Sequence, residues 1–510
     1  MLTYFFLCAF ICFVCYYVFS KPKHLYWETR KVAHVLQKSS FDTLWEFLVS
    51  KKSLPEIYKD VYDKFPGHPY VGIFSGSKPT LLVRDPEVIQ QIFAGDFQSF
   101  HSRGIGLNTD VDVLADNLLF MDHFEKWKLL RQKISPIFTS ARLKNMFYII
   151  ERSAKDFVRL VEKNRSSVKE PFELMAVFTA AAIGSAVFGI DTKSDVDTMR
   201  SPFVEMTKRT TSPSLRSTLV FFLSDACPRL YKMLKFKVFG EHEPFFLNFV
   251  RSVLRERRGE TVKRHDFIDL CLELQNNGTM RDSATGYELE PSEEILAAQA
   301  FFFFLAGVDT SSNTMHFTLV ELAKNRQILD KLHEQIDSVF EKSSGNPSYD
   351  DVDKLTYLDM IINESMRKYP NIGIIQRKCT RDTLLTVGNL KVDKDVLVVV
   401  PVYAIHRDST YYSEPDKFDP ERFAPGSDKN HHRYAYLPFG EGNRICIVST
   451  SIVSVGARFA RLQMKCGLIY LLREYTLAPS QPQKPLQFEP SLFSIRATKA
   501  GYSFVPRSLV

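Results

Sequence analysis

The sequence predicts a mainly helical fold with a smaller β part, arranged as one large domain behind a membrane-spanning N-terminal helix. Three observations carry this reading. Apolar residues recur at helical spacing through segment after segment between residues 122 and 368. Two short apolar runs, 70–74 and 80–83, read as a strand pair, and the last third breaks into short strands and loops punctuated by proline. Residues 2–19 form an uncharged apolar stretch about long enough to cross a bilayer as a helix.

In chain order, residues 1–20 are expected to be a membrane anchor. No Lys or Arg precedes the stretch and bulky residues run to its end, which argues against a cleaved signal peptide. Lys21, Lys23, Arg30 and Lys31 follow at once, so the positive-inside rule leaves the rest of the chain in the cytosol. Residues 21–53 read as a linker holding one proline, Pro22, and residues 54–510 as the globular domain. After Pro55 a helix over 56–64 leads through Pro66-Gly67 into the strand pair. Further helices are predicted over 122–135, 142–163, 172–188, 245–258, 292–325, 327–340 and 352–368.

Composition narrows the class without naming a chemistry. With 45% hydrophobic and 25% charged residues, no low-complexity tract and no solenoid period, the chain is neither disordered nor fibrous. The 42 phenylalanines suit an apolar core or a pocket for apolar ligands. Of eight cysteines, Cys8, Cys12 and Cys15 lie in the anchor and the others are scattered singly, which excludes a disulfide framework and fits a reducing compartment. A net charge of +7 suits an anionic membrane surface or an acidic partner. Without a basic helix interleaved with aromatics it does not point to nucleic acid.

Chemistry concentrates near the C-terminus, in Phe439-Gly440-Glu441-Gly442-Asn443-Arg444-Ile445-Cys446. A lone cysteine is ordinarily a small buried hydrophobe. Here it sits in a glycine-rich turn with an arginine two residues upstream. A tight turn that aims amides at sulfur, with a cation for a propionate, is how a protein presents one thiolate to a haem iron. The segment resembles the haem-binding loop of the cytochrome P-450 superfamily, the haem-thiolate monooxygenases. The resemblance continues over most of the chain and implies that family's single, mainly helical catalytic fold, with haem b ligated by Cys446.

The predicted helix 292–325 begins with Ser292 as cap, carries Glu293 and Glu294 in its first turn, and is apolar on every side, as a buried central helix must be. In its middle, Ala306-Gly307-Val308-Asp309-Thr310 places an acid and a hydroxyl where burial is costly. A structural explanation would have Thr310 bond back to a carbonyl one turn earlier and Asp309 meet a basic partner. The resemblance implies instead that Ala306 and Gly307 leave room for dioxygen while Asp309 and Thr310 relay protons.

The remaining matches surround the same group. Glu364 and Arg367 lie three apart on one helical face, and the segment 418–423 supplies Arg422. The resemblance makes these three a structural network that retains haem. Trp127 with Arg131, Arg377 and Arg444 match the family's propionate-holding positions, as Phe439 matches its haem loop. Substrate contacts would come from 102–118, 203–239, 301–304, 372–375 and the turn near Ser494. Electrons would come from an NADPH-dependent flavoprotein reductase, with cytochrome b5 as a second donor, docking near Lys126, Lys128, Lys133 and Arg458. Several short segments, including Ala435-Tyr436-Leu437-Pro438 and Leu462-Gln463-Met464-Lys465, look most like insect microsomal enzymes of the detoxification type.

The resemblance breaks directly after the cysteine. The family has one residue and then a glycine; here Ile447 is followed by Val448-Ser449-Thr450-Ser451-Ile452-Val453-Ser454-Val455, and the expected continuation resumes at Gly456. Removing 448–455 restores the motif. A β-branched residue in place of that glycine, and a shifted helix, predict that the chain as written binds haem poorly or not at all. Function is therefore expected to be monooxygenation of a lipophilic molecule at the endoplasmic reticulum membrane. The rivals are an impaired paralogue or mis-spliced form, and a haem-thiolate isomerase or dehydratase, which the Asp309-Thr310 pair disfavours.

Overall fold

The computed structural model describes residues 25–37, 42–76, 78–164, 171–190, 205–206, 216, 220–221, 223–224, 228–260, 263–427, 432–446, 455–479, 486–497 and 501–509. The apolar stretch 2–19 and the loop 447–454 fall outside them.

Helix α1 (Leu54–Lys64) starts where Ser53 donates its backbone N–H to Glu56 Oε2 at 2.8 Å, with Pro55 in the first turn. It leads into β1 (Tyr70–Ser75) and β2 (Lys78–Val83), paired antiparallel with Tyr70 opposite Val83. Two later strands, β3 (Ile375–Lys378) and β4 (Leu397–Val400), complete a sheet ordered β1-β2-β4-β3. Strand β4 runs parallel to β2, and Arg377 lies opposite Val398 on the edge strand β3. Sequence separation of about three hundred residues thus disappears at the sheet, which delivers Arg377 to the body of the domain.

Helices α2 (Phe124–Ile134), α3 (Ser140–Asn164), α4 (Pro171–Val187), α5 (Glu243–Arg257), α6 (Glu293–Lys324), α7 (Arg326–Lys342) and α8 (Thr356–Lys368) follow the predicted segments, and α9 (Val455–Glu474) covers the stretch where the family pattern resumes at Gly456. Their buried faces form one large core around α6. Helix α6 is long and apolar enough to cross a bilayer, but it is the buried centre of the domain. Its N-terminus is capped by Ser292 Oγ, which accepts from the N–H of Ile295. Against α4 it packs closely: a Cβ at Gly307 would lie 2.5 Å from Ile183 Cδ1. Beyond Gly307, Thr179 and Ser312 share a hydroxyl hydrogen bond of 2.7 Å.

Three features depart from or extend the sequence reading. The helix expected over 352–368 is broken into Tyr349–Asp353 and α8. Buried Lys465 explains the break: its ammonium donates to the Asp353 carbonyl at 2.8 Å and to Asp359 Oδ2 at 2.7 Å, satisfying a carbonyl that a continuous helix would have used itself. A helix Phe267–Asn276 was not anticipated, although Asp266 caps it and Phe267, Leu270, Cys271 and Leu274 repeat at helical spacing. Within the span read as a linker, Trp27 is buried over Gly72 and donates Nε1–H to the Ile73 carbonyl at 3.0 Å.

Buried histidines make the fold acid-sensitive. His406 Nε2 accepts the N–H of Leu437 at 2.8 Å, and its Nδ1 lies 3.2 Å from the Arg367 carbonyl. Burial, then the Arg367 charge, push His406 down to about 3, and burial pushes His316 and His333 down to about 4. Between those values and the unfolded value of about 6.5 only the unfolded chain takes up the protons. Stability is thus complete above about pH 6.5 and falls by about 1.4 kcal/mol per pH unit for each such histidine as the pH drops. Denaturant midpoints are expected to decline steadily from pH 7 to pH 5, and the substitution H406Q to flatten the slope; a flat profile would contradict the neutral buried imidazoles.

Candidate active site

The turn before Cys446 is built on two glycines with left-handed backbones, Gly440 at φ 70° and Gly442 at φ 75°. A Cβ at Gly442 would lie 2.1 Å from the carbonyl oxygen of Phe93, so no other residue fits without moving backbone. The chain then makes a single 3₁₀ turn, Gly442–Arg444, and the N–H of Cys446 donates to the Phe439 carbonyl at 3.0 Å. Cys446 is exposed, whereas Cys271, Cys379 and Cys466 are buried. Burial pushes those three thiols up, Cys379 to about 11. Among the described cysteines, Cys446 is the one open to a ligand.

Guanidinium groups crowd this turn. Arg131, projected from α2, donates to the Ile445 carbonyl at 2.7 Å. Arg444 turns back to the Met121 carbonyl at 2.9 Å and lies 4.4 Å from the centre of the Trp127 ring, with Arg131 at 5.5 Å from the same ring. Arg377, buried on β3, stands 4.7 Å from the Phe93 ring. Arg103, which sequence reasoning missed, donates to the Arg444 carbonyl at 3.5 Å. Its position depends on Ser102, whose carbonyl accepts from Lys378 N–H at 2.9 Å at the end of β3. Only the neighbouring Gly104, with φ 71°, marks the place in the sequence.

Among the described residues these cations make no ion pair with a carboxylate within 4.0 Å. Nε of Arg103, Arg377 and Arg444, and Nη1 of Arg444, are buried without a hydrogen-bond partner. Burial, then repulsion among the arginines, push Arg444 down to about 8 and Arg377 well below the usual guanidinium range; Arg103 falls to about 10 by burial and the Arg131 charge. Asp122 is the one carboxylate among the described residues that opposes these shifts at Arg103 and Arg444. Several buried donors with no acceptor are costly unless an anionic group binds among them. The two propionates of a haem would have the charge and the acceptor atoms that this cluster requires, and the Cys446 sulfur would be available to ligate its iron.

On α6, Thr310 donates its hydroxyl to the Ala306 carbonyl at 2.7 Å, and Asp309 is ion-paired with Arg496. Burial pushes the Asp309 carboxyl up and Arg496 opposes it. Both residues therefore make the contacts that a purely structural account asks for, and Gly307 gains a packing reason for its size in Ile183. Close by, the rings of Phe239 and Phe301 are 5.0 Å apart and those of Phe120 and Phe239 5.4 Å apart. The structure also brings Glu364, Arg367 and Arg422 together. Fully buried Arg367 grips Glu364 through Nε at 2.7 Å and Nη2 at 2.9 Å, and Arg422 Nε lies 3.5 Å from Glu364 Oε1.

The sequence match decides the family: the model of the cytochrome P450 family matches residues 41–504. The chain belongs to the cytochrome P450 family. It is 38% identical over 86% of its length to "Probable cytochrome P450 6a13" of Drosophila melanogaster, whose own length is covered to 86%. Against "Cytochrome P450 6B2" of Helicoverpa armigera identity is 34%, covering 96% of both chains. "Cytochrome P450 6j1" of Blattella germanica is 33% identical, covering 96% of this chain and 95% of the relative. The expected likeness to insect P450 enzymes is thus found. As a P450 the protein is a monooxygenase using haem b with a cysteine thiolate as axial ligand.

Proposed function

We propose that this P450 is anchored in the endoplasmic reticulum membrane with its catalytic domain, residues 54–510, on the cytoplasmic side. There it inserts one atom of dioxygen into a lipophilic small molecule, a xenobiotic or an endogenous lipid or hormone. Electrons come from NADPH through a flavoprotein reductase, with cytochrome b5 as a second donor. The observation that carries the reading is the exposed Cys446 beside four guanidiniums with unpartnered or strongly desolvated groups. Haem, when bound, supplies the reductive activation of dioxygen, one atom going to substrate and the other to water.

The protein's own residues do the rest. Cys446 supplies the thiolate, held in place by its N–H bond to Phe439. Arg103, Arg131, Arg377 and Arg444, with Trp127 between two of them, hold the propionates. Asp309 Oδ and Thr310 Oγ1 carry protons on the α6 side, with Ala306 leaving space beside them, while Gly307 is packed against Ile183 of α4. Phe120, Phe239 and Phe301 form an apolar wall that keeps water out and favours lipophilic molecules. Glu364, Arg367 and Arg422 hold the thiolate side together without touching substrate.

Exposed Trp45, Leu48 and Val49 on the helix Asp42–Ser50 support a membrane-facing surface in addition to an anchor. A cleft of about 1180 Å³, bordered by Lys128, Arg131, Lys133, Arg381 and Asn443, offers the reductase a basic dock. Lys126 and Lys128 are already paired with Asp116 and Asp282, which leaves Lys133 as the stronger of the three for an acidic partner. Expressed in microsomes, the reduced protein under carbon monoxide is expected to give the red-shifted Soret band of thiolate-ligated haem. With reductase and NADPH it should oxidise lipophilic probes, and a haem-loaded protein that consumes NADPH without any oxygenated product would refute the reading.

A further inference from the structure

We propose that Phe93 is a positioning residue for Arg377: from a π-helical turn on which the cysteine turn is also seated, its ring holds the guanidinium aimed at a haem propionate. The inference rests on the propionate-holding role given above to Arg377. Phe93 is buried in a single π-helical turn, Gln91–Gly95, whose wide hydrogen bond runs from the Asp96 N–H to the Gln91 carbonyl at 2.7 Å. Such turns are rare overall and concentrate at functional sites.

The turn is tied down from one side and used from the other. Gln91 Oε1 accepts the N–H of Thr386 at 2.9 Å and its hydroxyl at 3.0 Å, while Gln91 Nε2 donates to the Leu384 carbonyl at 2.9 Å. Held this way, the turn buries Phe93 and leaves Ala94 and Gly95 exposed. The Arg377 guanidinium stands 4.7 Å from the centre of the Phe93 ring. A Cβ at Gly442 would lie 2.1 Å from the Phe93 carbonyl oxygen and 3.0 Å from its Cβ, so the turn that carries Cys446 rests on the same residue. Further along the segment, Phe97 stands 5.8 Å from Trp127, the ring that Arg444 and Arg131 flank. Both halves of the cationic cluster therefore lean on one short stretch of chain.

Arg377 needs such a ring more than an exposed arginine does. It is buried, its Nη1 donates to the Gln376 carbonyl at 2.9 Å, and its Nε has no partner. Burial disfavours its charge, and the neighbouring Arg103 and Arg444 repel it. The negative face of an aromatic ring attracts a cation, and more strongly when the cation is desolvated. Leucine at 93 would fill the space without that attraction, and the guanidinium would be better solvated turned away from the site. Haem would then have to draw it back, and that ordering weakens binding. A buried phenylalanine is ordinarily core packing, and that account gives F93L the same cost whatever stands at position 377.

A double-mutant cycle separates the two accounts. In the full chain without haem, unfolded by denaturant, F93L is expected to raise the unfolding constant about tenfold more beside Arg377 than in the R377M background. F93Y, which keeps the ring face, should recover most of this coupling. Titrated with haem, F93L and R377M should each weaken binding about tenfold, and the double variant little more than either. The carbon monoxide band should keep its position in F93L, because the backbone under the Cys446 turn is unchanged. An F93L cost that is equal in both backgrounds overturns the proposal and leaves Phe93 as core packing; a band that moves in F93L overturns it by placing the ring's action on the thiolate. Should F93L fail to melt cooperatively, half-buried Gln91 takes its place: Q91A releases the turn and should cost more stability beside Arg377 than in R377M, an equal cost again overturning the proposal. Where the full chain takes up no haem, the haem-free cycle decides. Unchanged haem affinity in R377M alone would refute the propionate-holding role on which the inference rests.

Discussion

The substitution C446S is expected to abolish the red-shifted band of the reduced, carbon monoxide-treated protein and to bring oxygenated product below detection. Serine keeps the turn, because the features that build it are Gly440, Gly442 and the backbone bond to Phe439. It removes only the sulfur, and an alcohol oxygen is a weak ligand that stays protonated where a thiol ionises. Controls separate ligation from folding. Cys379 and Cys466 are buried, so C379S and C466A should each cost about 1–3 kcal/mol in stability and leave the band in place. Loss of the band in a control, with C446S retaining it, would assign the thiolate elsewhere. Comparison of the four proteins by cooperative melting and by spectrum makes the two effects independent.

Local patterns in this chain were legible where one element holds the whole signal. Asp309 and Thr310 stand out because they interrupt an apolar helix, and Glu364 and Arg367 meet because three residues make nearly one turn. Helix α6 begins one residue after its predicted cap because Ser292 caps it as expected. What sequence pattern lacks is the partner from a distant element. Arg103 enters the cationic cluster only because Ser102 bridges to Lys378, and Arg496 reaches Asp309 across 187 positions. The break before α8 was equally hidden, since Lys465, which satisfies the freed Asp353 carbonyl, lies 112 residues away. His406 belongs to the same class: its ring ties Arg367 to the strand of chain that leads into the haem loop, a link that no spacing announces.

Deleting residues 448–455 is the change expected to act most strongly in the opposite direction, by raising haem content per chain several-fold and with it the rate of product formation. The flanks of this segment are both in order. Upstream, the turn to Cys446 is fixed by hydrogen bonds and by the fit of Gly442 against Phe93. Downstream, α9 is docked by buried Phe459 and by Gln463, which donates to the Thr179 carbonyl at 3.1 Å. Both flanks are held by these contacts, and the eight extra residues enter the sequence between them, directly after Cys446 and Ile447. The full chain also sets Val448 where the shortened one sets Gly456, and a β-branched side chain has neither the backbone freedom nor the small size that position needs. Haem per chain and the carbon monoxide band, measured on both proteins, test this together. A stronger band in the shortened chain means that the insert weakens an otherwise complete P450 site; equal bands would mean that the loop turns outward and leaves Cys446 and the arginine cluster free to hold haem as they stand.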